Sequence, residues 1–169
     1  MYGIGDHIVY SSMGVCLVKD ISTAPVYGGA TKTCYTLAPV GQAGEIKVPV
    51  DTQVFMRPIL THEEVDALID GIPAMQVEPF RPTGLQQLKA HYQACLQSRD
   101  PADLLALIMS IHLKKEERRK ANQRVGVIDE NCMKRAQGLL YGEFALALGI
   151  PTDGVEEYIR TRVEVPAAE

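Results

Sequence analysis

The hydrophobic pattern of the chain changes near residue 58. Before that point apolar residues alternate with polar ones over short runs bounded by glycine and proline, which is typical of β-strands. Five runs have this character, at residues 8–10, 15–18, 33–37, 45–50 and 53–57. Several short strands separated by glycine-rich turns predict a small, strongly bent antiparallel barrel.

After residue 58 the apolar residues recur at helical spacing, and four N-cap signals mark helix starts. The signals stand at Thr61 with Glu64, Thr83 with Gln86, Asp100 with Pro101, and Asp129. A further short helix is predicted from residue 153 to about residue 162. The chain is therefore predicted to be α+β, with an SH3/Tudor-like barrel over residues 1–58 and an all-α helical domain over residues 62–165.

Charge is unevenly distributed along a chain of net charge −4. Residues 81–135 carry eleven basic and six acidic groups, whereas residues 61–80 carry five acidic groups and no basic one. A local excess of positive charge matters more than the total when the partner is a polyanion. The basic segment at residues 114–124 fits two interpretations: a solvated helix face with intrahelical ion pairs, or a ridge that contacts phosphates.

Residue types that carry catalysis or bind metals lack the spacing that such sites need. The four cysteines and four histidines are dispersed, without a C-x-x-C or H-E-x-x-H pattern. Phosphate-loop, dinucleotide-binding and nucleophile-elbow motifs are absent. We therefore expect no cofactor, no metal site and no enzymatic activity. With 46% hydrophobic residues but no signal peptide or membrane-length apolar run, a cytoplasmic protein is expected.

Two separated stretches carry a family resemblance. The first has the pattern G-D-x-V-V-Y-x-x-x-G-x-x-x-V, matched by Gly5, Asp6, Ile8, Val9, Tyr10, Gly14 and Val18. The second, A-R-x-L-L-x-x-E-L-A-x-A, is matched by Ala136, Leu139, Leu140, Glu143, Phe144, Ala145 and Ala147. In this order, the two stretches resemble the CarD family of bacterial transcription regulators, which bind RNA polymerase.

The resemblance implies a regulator of transcription initiation. In that family the Tudor-like domain docks on the β subunit of RNA polymerase, and Lys47, Val48 and Pro49 occupy the place of the polymerase-contacting strand. The helical domain of the family contacts promoter DNA and alters the lifetime of the open complex. A nucleoid-associated monomer that binds no membrane is then expected.

The resemblance also suggests a set of DNA-binding residues. Many family members insert a tryptophan into the minor groove, and Leu88 occupies that position in this chain, which has no tryptophan. Leu88 fits either an apolar wedge or a core residue. The other candidates are basic or can become so: Lys89, His91, Lys114, Lys115, Arg118, Arg119, Arg124 and Arg135. Tethering to polymerase would compensate for DNA binding that is weak and largely independent of sequence.

Two other functions remain open. The helical domain could bind a protein and never DNA, which would make the chain a protein-protein interaction adaptor. A small enzyme with a site assembled at the domain junction is the third hypothesis. Loss of DNA affinity at high salt would separate a phosphate binder from an adaptor.

Overall fold

The computed structural model describes residues 1–98 and 100–164. Two compact units divide the chain, residues 1–60 and a second unit that begins at Thr61. The architecture is α+β, as predicted. Val165, the last residue of the predicted helical domain, lies outside the described residues.

The first unit is a five-stranded antiparallel sheet. Its strands are β1 (His7–Tyr10), β2 (Gly14–Pro25), β3 (Thr31–Pro39), β4 (Ile46–Pro49) and β5 (Met56–Pro58). The strand order is β4-β3-β2-β1-β5. The sheet is open, with β4 and β5 as its edges, so the predicted closure into a barrel is not established.

The core of the sheet lies on one face, to which the buried residues of neighbouring strands point. Ile8 pairs with Cys16, and Tyr35 pairs with Val48, so that side chains from four strands point to the same side. The buried cluster consists of Ile8, Cys16, Val18, Tyr35, Leu37 and Val48. A register shift between Val18 and Asp20 interrupts the ladder between β2 and β3. Such a bulge bends a strand locally, so curvature does not require a closed barrel.

The second unit contains five α-helices in the described part of the chain. They are α1 (His62–Asp70), α2 (Leu85–Leu96), α3 (Pro101–Lys120), α4 (Val127–Leu148) and α5 (Val155–Glu164). Short 3-10 turns at Ile72–Ala74 and Thr152–Gly154 lie between helices. The largest fully buried side chains of this unit come from four helices: Val65, Ile69, Leu105, Ile111, Leu140, Phe144 and Val155.

Two of the four predicted helix starts are confirmed. The Thr61 hydroxyl accepts from the Glu64 N–H, and the Asp100 carboxylate accepts from the Ala102 N–H. The capping box predicted at Thr83 is wrong. There Gly84 is the N-cap, while the Gln87 side chain accepts from both the N–H and the hydroxyl of Thr83.

The start of the last long helix also differs from the prediction. Helix α4 begins at Val127, with Gly126 as N-cap, so Asp129 is its third residue. The carboxylate of Asp129 reaches back and accepts from the Gly126 N–H at 3.2 Å. Asp129 therefore binds the helix start from inside the first turn, the position that an acidic residue takes in a capping box. No helix in the described ranges is long and apolar enough to span a bilayer.

Candidate interaction surfaces

Strand β4 is an edge strand whose three predicted polymerase-contacting residues differ in accessibility. Lys47 is exposed, Pro49 is half-buried, and Val48 is 7% exposed and belongs to the core of the sheet. Alternation along the strand explains the difference, because Val48 shares a face with its partner Tyr35 while Lys47 points to the other face. Lys47 is thus the residue of the three that can meet a partner with its whole side chain.

The backbone of β4 offers few groups on its outer edge. The Val50 N–H donates to the Thr33 carbonyl at 3.0 Å, so Val50 is hydrogen-bonded to β3. In an antiparallel pair such bonds recur at every second residue, and Lys47 is three residues away. The N–H and carbonyl of Lys47 therefore face outward. Pro49 also faces outward but has no N–H, and its carbonyl accepts from the Thr52 N–H. The edge is therefore short and protected, with Lys47 at its open position.

Lys47 also differs electrostatically from the neighbouring lysines. Lys19 pairs with Glu45 at 2.6 Å just before β4, and Lys32 pairs with Asp51 at 3.2 Å just after it. Within residues 1–98, Lys47 makes no ion pair. Its ammonium group is consequently free to meet an acidic partner.

Lys114 belongs to the predicted DNA-binding set, but its ammonium group is paired within the helical unit. Its Nζ donates to Asp129 Oδ1 at 2.9 Å, and the Tyr92 hydroxyl donates to the same oxygen at 2.6 Å. Lys114 is 8% exposed and Asp129 is 3% exposed. A lysine with a buried carboxylate partner is not available to phosphate, so the structure argues against a DNA contact by Lys114.

This network joins three helices, since Tyr92 lies on α2, Lys114 on α3 and Asp129 on α4. Burial acts to raise the pKa of Asp129, but the hydrogen bonds from Tyr92 and Lys114 outweigh it and lower the pKa below the usual value of 3.8. Burial, together with the Asp129 carboxylate, raises the pKa of Tyr92 well above its usual range. Asp129 is therefore ionised and Tyr92 protonated at neutral pH.

Two more members of the set are poorly suited to contact phosphate, since Leu88 is buried and His91 is half-buried. Leu88 is 5% exposed and packs in the helical core, which favours its structural interpretation over that of a DNA wedge. His91 stacks on Phe80 with ring centroids 3.8 Å apart, and burial lowers its pKa below 6.5. Neutral at physiological pH, His91 supplies no positive charge to phosphate.

The remaining basic candidates are accessible. Lys89, Arg119, Arg124 and Arg135 are exposed, and Lys115 and Arg118 are half-buried. Arg119 pairs with Glu116 at 2.7 Å on the surface, an interaction that solvent screens and that a phosphate could replace. The Arg118 guanidinium donates to the Arg124 carbonyl at 3.1 Å.

The structure brings Leu88, Lys114 and Arg118 to one groove of about 830 Å³ in the helical unit. The other candidates do not line it. Most of its lining residues were not predicted as site residues, among them Arg81, which pairs with Glu117 at 3.1 Å, and the exposed apolar residues Leu85 and Val127. Leu85 is the first residue of α2, and this position in the first turn is the signal that could have marked it as a surface residue.

A second groove, of about 300 Å³, is lined by apolar and charged residues, among them Ile108 of α3, Met133 of α4 and Arg160 of α5. Among residues 1–98 and 100–164, no three histidine, cysteine or acidic side chains lie close enough together to hold a metal ion. The accessible features are thus an edge strand in the sheet unit and a basic, grooved surface in the helical unit.

The sheet unit matches a known protein family. A family model described as the CarD-like/TRCF RID domain matches residues 2–60, which is the sheet unit from its second residue to its last. The match ends where the helical unit begins. No curated protein matches the chain. The resemblance drawn from the sequence is confirmed over residues 2–60.

Proposed function

We propose that this chain regulates transcription by docking on the β subunit of RNA polymerase, because residues 2–60 match the family model of the CarD-like/TRCF RID domain. The contact would be made by β4. The observation that carries this proposal is the edge position of β4 within the matched domain, with Lys47 exposed on it and making no ion pair with any residue that the structure describes.

The helical unit would then contact promoter DNA near the melted region and change the lifetime of the open complex. Its phosphate contacts would come from the accessible cations, which are Lys89, Lys115, Arg118, Arg119, Arg124 and Arg135. Leu88, His91 and Lys114 are left out of this set because of their burial or pairing. Such contacts are sensitive to salt and read little sequence.

Binding to polymerase would hold the weak DNA site close to its target. Two modest interactions joined in one chain can exceed either affinity by orders of magnitude, because the second becomes intramolecular. A chain of net charge −4 therefore does not need strong DNA affinity of its own. Accordingly we propose a non-catalytic, cytoplasmic and nucleoid-associated monomer.

The docking proposal is tested with Lys47→Glu in the full chain and purified RNA polymerase core enzyme. We expect retention on immobilised polymerase to fall at least tenfold, because the exposed charge is reversed while the buried face of β4 is untouched. Lys134→Glu is the matched control, since it makes the same charge change at an exposed position of α4. Equal retention of wild type and Lys47→Glu would contradict docking through β4.

Burial of Leu88 and Lys114 favours a second candidate, a protein-interaction adaptor that does not bind DNA. Fluorescence anisotropy with fork-shaped promoter DNA separates the two functions. A phosphate binder shows affinity at about 50 mM salt that falls by orders of magnitude at about 200 mM. An adaptor shows no DNA binding at either concentration.

A further inference from the structure

The groove of about 830 Å³ in the helical unit is lined in part by exposed apolar side chains, which the packing of the helices does not bury. Leu85 is 67% exposed and Val127 is 73% exposed, and both line the groove. Each is the first residue of its helix, a position at which a large apolar side chain contributes little to helix stability. Neighbouring exposed apolar residues in a concavity are typical of a binding surface.

The groove volume and wall composition suit a ligand with apolar groups. Small-molecule and peptide pockets commonly enclose about 300–1,000 Å³ and are lined mostly by apolar side chains. Beyond Leu85 and Val127, the lining includes Pro79, Phe80 and Ile128. These residues come from the segment before α2 and from the first turn of α4, so the apolar walls face one concavity.

The charges of the groove favour an anionic ligand. Lys114 is neutralised by Asp129, and Arg81 is paired with Glu117. Arg118 donates to a backbone carbonyl and has no carboxylate partner among the described residues, which leaves the lining with one excess positive charge. The surrounding segment, residues 114–124, carries six basic and two acidic residues.

We infer that this groove binds an acidic peptide segment of a partner protein, in which a large apolar side chain is flanked by carboxylates. The apolar side chain fits between Leu85 and Val127, and the carboxylates meet Arg118 and compete with Glu117 for Arg81. Duplex DNA fits this site less well, because its phosphates need outward-facing cations and gain nothing from apolar walls. The groove belongs to the helical unit, whereas the proposed polymerase contact on β4 belongs to the sheet unit.

The probe is a fluorescein-labelled peptide of twelve residues with six acidic residues and a central Leu-Phe pair. Two control peptides keep its length. In one, serines replace Leu-Phe, and in the other, amides replace the carboxylates. We expect the full chain to bind the probe at least tenfold more tightly than either control, measured by anisotropy at about 50 mM salt.

Substitutions in the groove sharpen the test. We expect Leu85→Ser and Val127→Ser each to weaken probe binding about tenfold, because both remove an exposed apolar contact. Ala90→Ser is the matched control, since Ala90 is exposed on α2 and does not line the groove. Glu117→Gln should strengthen binding severalfold, because it removes the carboxylate that occupies Arg81.

Circular dichroism of each variant establishes that the helices are intact before affinities are compared. Equal affinity for the probe and the serine peptide would overturn the proposal, as would a loss that Ala90→Ser matches. It would also be overturned if the probe did not bind while fork DNA bound and lost affinity in Leu85→Ser, since the groove would then be a nucleic-acid surface. Retention on polymerase is measured separately with Lys47→Glu, so either proposal can fail alone.

Discussion

Lys114 Nζ lies 2.9 Å from Asp129 Oδ1 in the interior of the helical unit. The two residues are fifteen positions apart, on α3 and α4, and Tyr92 of α2 donates to the same carboxylate oxygen. The pair therefore holds three helices together around one buried ion pair. It also orients the basic segment of residues 114–124. With Lys114 buried, Arg118 lines the groove and Arg119 stays on the surface.

The first prediction concerns Asp129→Asn. Removal of the carboxylate leaves the Lys114 ammonium buried without a counter-charge, and breaking a buried ion pair in this way costs about 3–5 kcal/mol. Asparagine keeps one acceptor oxygen for Tyr92 but loses the second, which accepts from the Gly126 N–H, so the loss includes that hydrogen bond at the helix start as well as the charge. We expect this decrease in the free energy of unfolding, measured by urea denaturation followed by circular dichroism.

A double variant provides the control for that measurement. Lys114→Met/Asp129→Asn contains neither buried charge, and we expect it to recover more than half of the stability lost in the single variant. Glu117→Gln, which disrupts the exposed pair with Arg81, should change stability by less than about 1 kcal/mol. A single variant no less stable than Glu117→Gln would show that the buried pair does not hold the three helices together.

The second prediction is the pH dependence of the same difference. Since the folded-state pKa of Asp129 is lowered, its contribution to stability is present above the ordinary value of 3.8 and is lost as pH falls through the folded pKa. The stability gap between wild type and Asp129→Asn should therefore be constant from about pH 5 to 7 and shrink below about pH 4. Other carboxylates with lowered pKa values, such as Asp70 and Glu116, are common to both proteins and cancel in the difference.

The buried pair also shows which features could be predicted from the sequence and which could not. Asp129 was predicted at a helix start because an acidic residue precedes an apolar run, and its carboxylate does bind the Gly126 N–H. The pattern gave no sign that its second oxygen meets Lys114 and Tyr92. Contacts between residues on three separate helices depend on tertiary packing, which the local spacing of residues does not predict.

Strands and short-range caps were more accessible to sequence reasoning. The alternation around Tyr35 and Val48 predicted the strands because period-two burial is a local property. Whether the sheet closes depends instead on the edge strands, and β4 and β5 have only four and three residues. The cap predicted at Thr83 is wrong because of a side-chain contact. The Thr83 hydroxyl, which was expected to cap the helix, donates a hydrogen bond to the Gln87 side chain instead.

The third prediction separates the two roles of β4. Val48→Ala removes two buried methyl groups and should lower the free energy of unfolding by about 1–2 kcal/mol. Lys47→Ala should leave stability within about 0.5 kcal/mol, because the side chain is exposed and unpaired. We expect Lys47→Ala to be the variant that weakens retention on RNA polymerase at a temperature where both proteins are folded. If only Val48→Ala lost retention, the contact would lie on the other face of the sheet unit.

The fourth prediction concerns the salt dependence of DNA binding. Each phosphate contact to duplex DNA contributes about 0.9 to the slope of log K against log salt concentration. If Arg124 contacts phosphate, Arg124→Gln should reduce the magnitude of that slope by about one, measured with fork DNA. Lys114→Met should leave the slope unchanged, because Lys114 is buried in its ion pair. A lower slope in Lys114→Met would place its ammonium group on the DNA.

The last prediction uses a cysteine as a reporter of the same interior. Burial raises the pKa of the Cys132 thiol to about 12, and Cys132 lies three residues after Asp129 on α4. The thiolate is the reactive form, so Cys132 should resist alkylation by iodoacetamide at pH 8 in the native protein. Asp129→Asn should increase its labelling rate at least tenfold by making opening of the helical unit more frequent.

Cys16, fully buried in the sheet unit, is the internal control, and mass spectrometry of tryptic peptides reports both sites. Parallel acceleration at Cys16 would indicate unfolding of the whole chain, whereas acceleration at Cys132 alone would confine the effect to the helices that the ion pair joins.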